Sequence, residues 1–248
     1  MKFNPFNKKF LFFGHRGTPN FAPENTIYSF KKAIEMGVDG IELDVLLTAD
    51  EKIVIHHDID LLNLTGEDKK IDSLDYNELI KFDASGKWGK KIGFQKMPLL
   101  DEVSELLIDN KIILNIEIKS IRVFPTKIVE KVIQFIIKNK LMERCIVSSF
   151  NPLILRKVKK LSPEIFTSLI WSKDETPFML KWYKPLYFIS KPDGFHPDKL
   201  YTNKKLVKWA KSKKLSTCVF TVNDKIELNR LKKLGVNGVF TDNPKIMG

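Results

Sequence analysis

Gly40-Ile-Glu-Leu-Asp-Val45 reads as a buried strand that is apolar on one side and acidic on the other. Successive strand side chains point to opposite faces, so Ile41, Leu43 and Val45 share one face while Glu42 and Asp44 share the other. Two carboxylates on one inward face are costly unless a cation, a proton or a basic side chain compensates them. A hard divalent cation held by oxygen ligands accounts for both acids more simply than a buried ion pair does. The stretch Asn115-Ile-Glu-Ile-Lys119 repeats the pattern, with Asn115, Glu117 and Lys119 opposite Ile116 and Ile118. Glu117 is therefore a third candidate ligand, and Lys119, nearer the strand's C-terminal end, is a candidate for a phosphate oxygen. Taken alone, that stretch reads equally as Glu117 and Lys119 neutralising one another. The acids at 42 and 44 weigh against this plainer reading.

Short apolar runs recur along the chain, at 11–14, 40–46, 112–118, 145–149, 167–170, 194–196, 217–222 and 238–241. Apolar residues at helical spacing mark 26–36, 99–108, 126–139, 152–161, 204–213 and 225–234. Pro152 suits a first helical turn and Gly235 a helix end. Eight strands with intervening helices in 248 residues predict an α/β chain folded as a (β/α)8 TIM barrel, one domain over residues 1–248. A doubly wound open sheet is the alternative, but no Gly-x-Gly-x-x-Gly follows the first strand. Residues 171–193, with Pro177, Pro185 and Pro192, predict an irregular connection. Residues 58–98 break the alternation after the second barrel strand region. With Gly66, Gly86, Gly89 and Gly93 they predict a small insertion at the barrel mouth that contributes little to the core.

The composition, 43% hydrophobic and 29% charged, is globular and excludes a disordered or fibrous chain. No apolar run approaches the roughly 18 residues of a membrane span. The apolar stretch before Gly14 is too short for a signal-peptide core. No stable membrane anchor and a cytoplasmic location are expected. Cys145 and Cys218 lie far apart inside apolar runs and read as buried thiols. The net charge of +12 comes from lysines spread from Lys8-Lys9 to Lys232-Lys233. No element concentrates arginines for base reading, so no nucleic-acid partner is expected, and the excess reads mainly as a solvated surface.

Three of the four histidines stand near the acids or at strand ends. His15, in Gly14-His-Arg-Gly17, follows the first strand, at the active face of a barrel. His56 and His57 end the run Ile53-Val-Ile55. The connection from Val45 to Lys52 is too short for a helical crossover. A hairpin centred between Ala49 and Asp50 would set His57 opposite Glu42.

In order along the chain stand His15-Arg16-Gly17, Pro23-Glu-Asn-Thr26, Gly40-Ile-Glu-Leu-Asp44, Thr48-x-Asp50, His57-Asp58 and Glu117-x-Lys119. Asp83-Ala-Ser-Gly86, Pro98-Leu-Leu-Asp-Glu102, Ser149-Phe150, Thr221-Val-Asn223 and Gly238-Val-Phe-Thr-Asp242 accompany them. Each motif is weak, but the ordered set resembles the glycerophosphodiester phosphodiesterase family over almost the whole chain. The resemblance implies His15 and His57 as the catalytic histidines and Glu42, Asp44 and Glu117 as ligands of one divalent cation, Mg2+ or Ca2+. It implies Arg16 and Lys119 as phosphate contacts and leaves His56 as a neighbour only. There are departures. Glu51 stands where many members have glycine, and Asn63-Leu64-Thr65 replaces a more usual arginine–threonine pattern. Phe220, a candidate substrate contact, stands where tryptophan is common.

The implied reaction is metal-dependent hydrolysis of a small glycerophosphodiester to glycerol 3-phosphate and an alcohol, with histidine acid/base catalysis. Either a glycerol hydroxyl or water fits as nucleophile, and either histidine as the acid. One alternative is a lipid phosphodiesterase of the phospholipase D or C kind, which needs an apolar mouth. The other is an inactive barrel that binds sugar phosphates, which normally lacks a histidine or ligand. Headgroup, native metal and oligomeric state are left open by the sequence.

Overall fold

The computed structural model describes residues 3–7, 9–108, 110–119, 123–175 and 181–248. Its strands are β1 (Leu11–Gly14), β2 (Gly40–Leu47), β3 (Ile53–Ile55), β4 (Ile113–Ile118), β5 (Cys145–Ser149), β6 (Phe166–Trp171), β7 (Gly194–Pro197), β8 (Ser216–Val219) and β9 (Gly238–Thr241). All but β3 run parallel, in the order β1-β2-β4-β5-β6-β7-β8-β9, and β9 pairs back onto β1 to close an eight-stranded barrel. The helices are α1 (Ile27–Glu35), α2 (Leu62–Thr65), α3 (Tyr76–Leu79), α4 (Gly89–Ile92), α5 (Leu100–Leu106), α6 (Ile128–Lys138), α7 (Pro152–Leu161), α8 (Tyr183–Ser190), α9 (Lys204–Ser212) and α10 (Lys225–Leu234). The expected TIM barrel is therefore the observed fold.

The alternation read in β2 sorts the core. Ile41, Leu43 and Val45 are fully buried in an outer apolar shell with α1, α5 and α6. A second outer shell joins β6, β7, β8 and β9 to α8, α9 and α10. Helix α7 serves both, with Ile154 and Val158 in the first shell and Leu155 in the second. The barrel interior holds Leu11, Phe13, Ile146, Phe166, Cys218 and Phe240. Phe6 plugs it from the N-terminal segment, its ring 6.0 Å from Phe13 and 5.9 Å from Phe166. Caps fix the long helices in register. Asn151 accepts from the Leu153 N–H ahead of Pro152, and Asp224 accepts from the Glu227 N–H.

Three expectations need correction. The stretch 171–193 contains a regular helix, α8. Pro185 falls in its first turn, where its missing N–H has no intrahelical partner to lose, and Pro192 follows the left-handed Lys191 that ends it. Pro177 lies outside the described residues. Strand β8 stops at Val219, so Phe220 to Val222 belong to the mouth.

The hairpin register is also shifted by one. Val45 pairs with Ile55 and Leu47 with Ile53, and the His56 N–H donates to the Asp44 carbonyl at 3.1 Å. His56, not His57, continues the ladder. The turn has three residues, not two. It is closed by Thr48 and Lys52, with Glu51 in the left-handed region at φ 59°. The Thr48 hydroxyl accepts from the Lys52 N–H and donates to Asp50, and Glu51 is ion-paired to Lys127.

Between β3 and α5, residues 58–98 fold as short helical turns around their own apolar cluster. Leu61, Ile71, Tyr76, Leu79 and Met97 pack on Leu46 and Val54 of the hairpin, apart from the barrel shells.

Candidate active site

The strand ends carry their functional groups to one open cleft at the barrel mouth. The β2–β4 register sets Glu42 beside Asn115 and, one step nearer the mouth, Asp44 beside Glu117. Carboxylate oxygens of Glu42, Asp44 and Glu117 lie within 4.8 Å of one another. One Glu42 oxygen accepts the Arg16 N–H at 2.7 Å; the other is buried with no partner among the described residues. Burial, with Asp44 and Glu117 nearby, holds the Glu42 carboxyl well above the usual carboxylate range. Burial raises Glu117 likewise. Burial works to raise Asp44, but Lys119, Arg16, His57 and the Asn25 hydrogen bond together leave it lowered. An unpartnered buried oxygen and two acids strained by mutual repulsion are what a hard cation would relieve, so the residues fit such an ion.

The basic groups are arranged around these acids. Lys119 Nζ lies 3.1 Å from Glu117 and 3.6 Å from Asp44. Burial works against its charge, but the two acids outweigh burial and raise its pKa. Arg16 Nε is 3.5 Å from Asp44, and its Nη1 donates to Glu24 at 2.9 Å. Asn25 donates to Asp44 at 2.9 Å and so holds that carboxylate in place. The loop that carries His15 and Arg16 turns at Gly17, φ 86°, where a Cβ would stand 2.3 Å from Ser29 Oγ. Glycine in the His-Arg-Gly motif is thus a packing requirement.

The two histidines are held alike from unrelated loops. His15 Nδ1 meets Asp242 at 2.7 Å, and the other Asp242 oxygen accepts from Asn223 at 2.7 Å. His57 Nδ1 meets Asp58 at 2.7 Å, and the other Asp58 oxygen accepts from Asn63 at 2.9 Å. Asn63, which departs from the family pattern, thereby supports Asp58 directly. Burial lowers the His57 pKa, so its imidazole is mainly neutral near pH 7. His56 lies aside, facing a different cleft with Trp88 and Glu24.

The structure therefore brings together the residues assigned to the site from the sequence: His15, His57, Arg16, Lys119, Glu42, Glu117 and Phe220 line the cleft, and Asp44 lies against it. Phe150, Ile170, Phe220 and Phe240 supply the apolar part of its lining. Asp242, Asn223 and Asn25 were visible in quoted motifs but had no role read into them. His196, at the end of β7, was missed, although a histidine closing a barrel strand is the signal that singled out His15.

No helix among the described residues is long and apolar enough to cross a membrane. The model of the glycerophosphoryl diester phosphodiesterase family matches residues 15–246. A glycerophosphodiester phosphodiesterase of Caldanaerobacter subterraneus subsp. tengcongensis is 36% identical over 96% of each chain. One from Bacillus altitudinis is 34% identical over 94% of each. The structure of an Oleispira antarctica phosphodiesterase in complex with the product sn-glycerol-3-phosphate superposes with a TM-score of 0.79 at 29% identity, covering 96% of this chain and 95% of that one. With closed barrel, acidic triad, paired histidines and near-complete coverage in agreement, the chain belongs to the glycerophosphoryl diester phosphodiesterase family of phosphodiester hydrolases.

Proposed function

We propose that this enzyme hydrolyses small glycerophosphodiesters to glycerol 3-phosphate and an alcohol. In this reading Glu42, Asp44 and Glu117 hold one divalent cation, Mg2+ or Ca2+. Arg16 and Lys119 contact the phosphate, Phe220 contacts the substrate, and His15 and His57 move the protons. The observation that carries it is the set of three carboxylates within 4.8 Å in the cleft that also holds two aspartate-bound histidines and two cations. Residues 58–98 would cover the mouth as an insertion on a single barrel domain.

A phosphodiester anion repels nucleophiles, and its alkoxide leaves poorly. When bound, a divalent cation polarises the phosphoryl oxygens and offsets their charge. Arg16 and Lys119 add fixed positive charge where negative charge develops. Each histidine is tied at Nδ1 to an aspartate, so Nε2 is left to act. One Nε2 takes the proton of the attacking water or glycerol hydroxyl, and the other gives a proton to the departing alcohol; where the glycerol hydroxyl attacks, water then opens the cyclic phosphate by the same pair acting in reverse.

The test is product analysis on a panel of deacylated phospholipids, with and without chelator. Release of glycerol 3-phosphate, abolished by chelator, is the expected outcome. His15→Ala and His57→Ala should each lower kcat by about 10²-fold or more, and His56→Ala far less. Activity on intact phospholipids alone would turn the reading toward a lipase. Full activity in chelator would remove the metal from it.

A further inference from the structure

The cleft has a closed end as well as an open one. His15, Arg16, His57 and Lys119 keep side-chain exposures of 16–30% near the mouth. Asn115 and His196 are each 1% exposed and line the more buried end, with Phe240, Ile170 and the carboxyl of Glu42 beside Asn115. His196 packs edge-on to the Phe240 ring, 4.8 Å between centroids. Its Nε2 is buried and has no hydrogen-bond partner among the described residues. The Asn115 side-chain oxygen is in the same state, while its amide donates to Ser148 at 2.9 Å.

Buried polar atoms left unpaired destabilise the fold and ask for an explanation. A purely apolar floor would have been more stable. The floor is also free of charge at His196: burial alone holds that imidazole down to about 3, so it is neutral at working pH. A neutral imidazole and an amide oxygen suit hydroxyl groups, which both donate and accept. They do not suit phosphate, for which Arg16 and Lys119 stand higher in the cleft. The alcohol of a glycerophosphodiester varies and needs the open mouth. A closed floor can recognise only the half that is constant.

Resting on the activity proposed above, we propose that His196, with the side-chain oxygen of Asn115, forms the subsite for the glycerol hydroxyl groups. These two residues then set the preference for a glycerol-bearing phosphodiester.

The test uses the full chain with its divalent cation, and two ligands that share a phosphate monoester: glycerol 3-phosphate and methyl phosphate. Calorimetry on the wild type should show tighter binding of glycerol 3-phosphate. In His196→Phe that advantage should shrink by about 10-fold or more, with methyl phosphate unchanged and the melting temperature equal or higher. His196→Gln, which keeps a polar tip, should recover part of it. In parallel, kcat/KM for glycerophosphocholine should fall in His196→Phe, chiefly through KM. An undiminished advantage in His196→Phe overturns the inference, and so does an equal loss for both ligands, which would mark a packing role. A wild type that cleaves glycerophosphodiesters but binds the two ligands alike also overturns it, leaving the proposed function intact. A wild type that cleaves no glycerophosphodiester strikes down both.

Discussion

Asp242 and Asp58 do for the two histidines what no histidine does for itself: they fix which nitrogen carries the proton. An aspartate on Nδ1 favours the tautomer with Nε2 free and, in the proposed reaction, would stabilise the imidazolium formed during turnover. Asp242→Asn removes the charge while keeping the shape. It should lower kcat by about 10²-fold or more, with KM changed much less, as steady-state kinetics would show. A kcat within a few-fold of wild type would reduce the pair to a structural contact. His196 gives a second expectation, on stability. Burial holds its pKa at about 3 against an ordinary 6.5. Below about pH 6.5 the unfolded chain takes up a proton that the folded chain refuses until near pH 3. Its contribution to stability is therefore whole above pH 6.5 and is lost as pH falls. By pH 5 the loss is roughly 2 kcal/mol. Chemical denaturation at about pH 7.5 and pH 5 should show the wild type losing that much more than His196→Phe does.

Among the elements, the segment 58–98 is the one whose standing is open to direct trial. Its cluster closes on Leu46 and Val54 of the hairpin, and Tyr76 binds the Met97 carbonyl at 3.0 Å within it. Leu79→Ala hollows that cluster, at a cost of about 2–5 kcal/mol. If the segment is its own unit, limited proteolysis should quicken inside 58–98 while the barrel's thermal transition holds. A drop in the global transition as large as one from Leu43→Ala would make the segment part of the core. The same region shows what a sequence can and cannot disclose. The period-two alternation of Gly40–Leu47 and Ile113–Ile118 exposes each strand's two faces, so the triad was legible before any coordinates. Hairpin register was not, because it depends on whether Glu51 accepts a left-handed backbone. That is settled by the Thr48 hydroxyl and by Lys127, which lies far along the chain. Helix α8 was hidden for a similar reason: proline is neutral in a first turn, and only tertiary packing showed where that turn begins. The His15 partners, Asp242 and Asn223, come from loops distant in sequence, so their motifs were visible while their roles were not; Asp58 and Asn63 follow His57 closely, but nothing in their spacing says that they meet it.

For the molecule as a whole, the +12 charge is spread over the surface, and the lysine proposed to contact the phosphate is Lys119, largely shielded and ion-paired to Glu117. Screening reaches surface charges over about 8 Å at physiological salt and barely touches a pair inside the barrel. Lys119→Met should therefore depress activity at every ionic strength, whereas replacing Lys213 and Lys214 should leave kcat/KM unchanged. A steep salt dependence abolished by those two surface changes would assign the charge to substrate guidance. The outer apolar shell, lastly, is divided, and helix α7 spans the division, with Ile154 and Val158 in one part and Leu155 in the other. Proteins open in cooperative pieces that follow such divisions. Amide protons of β2, β4 and β5 should then exchange as one group and those of β7, β8 and β9 as another. The α7 amides should exchange only with the slower group, because either half, while closed, keeps that helix shut. The barrel would breathe in two halves about a shared helix.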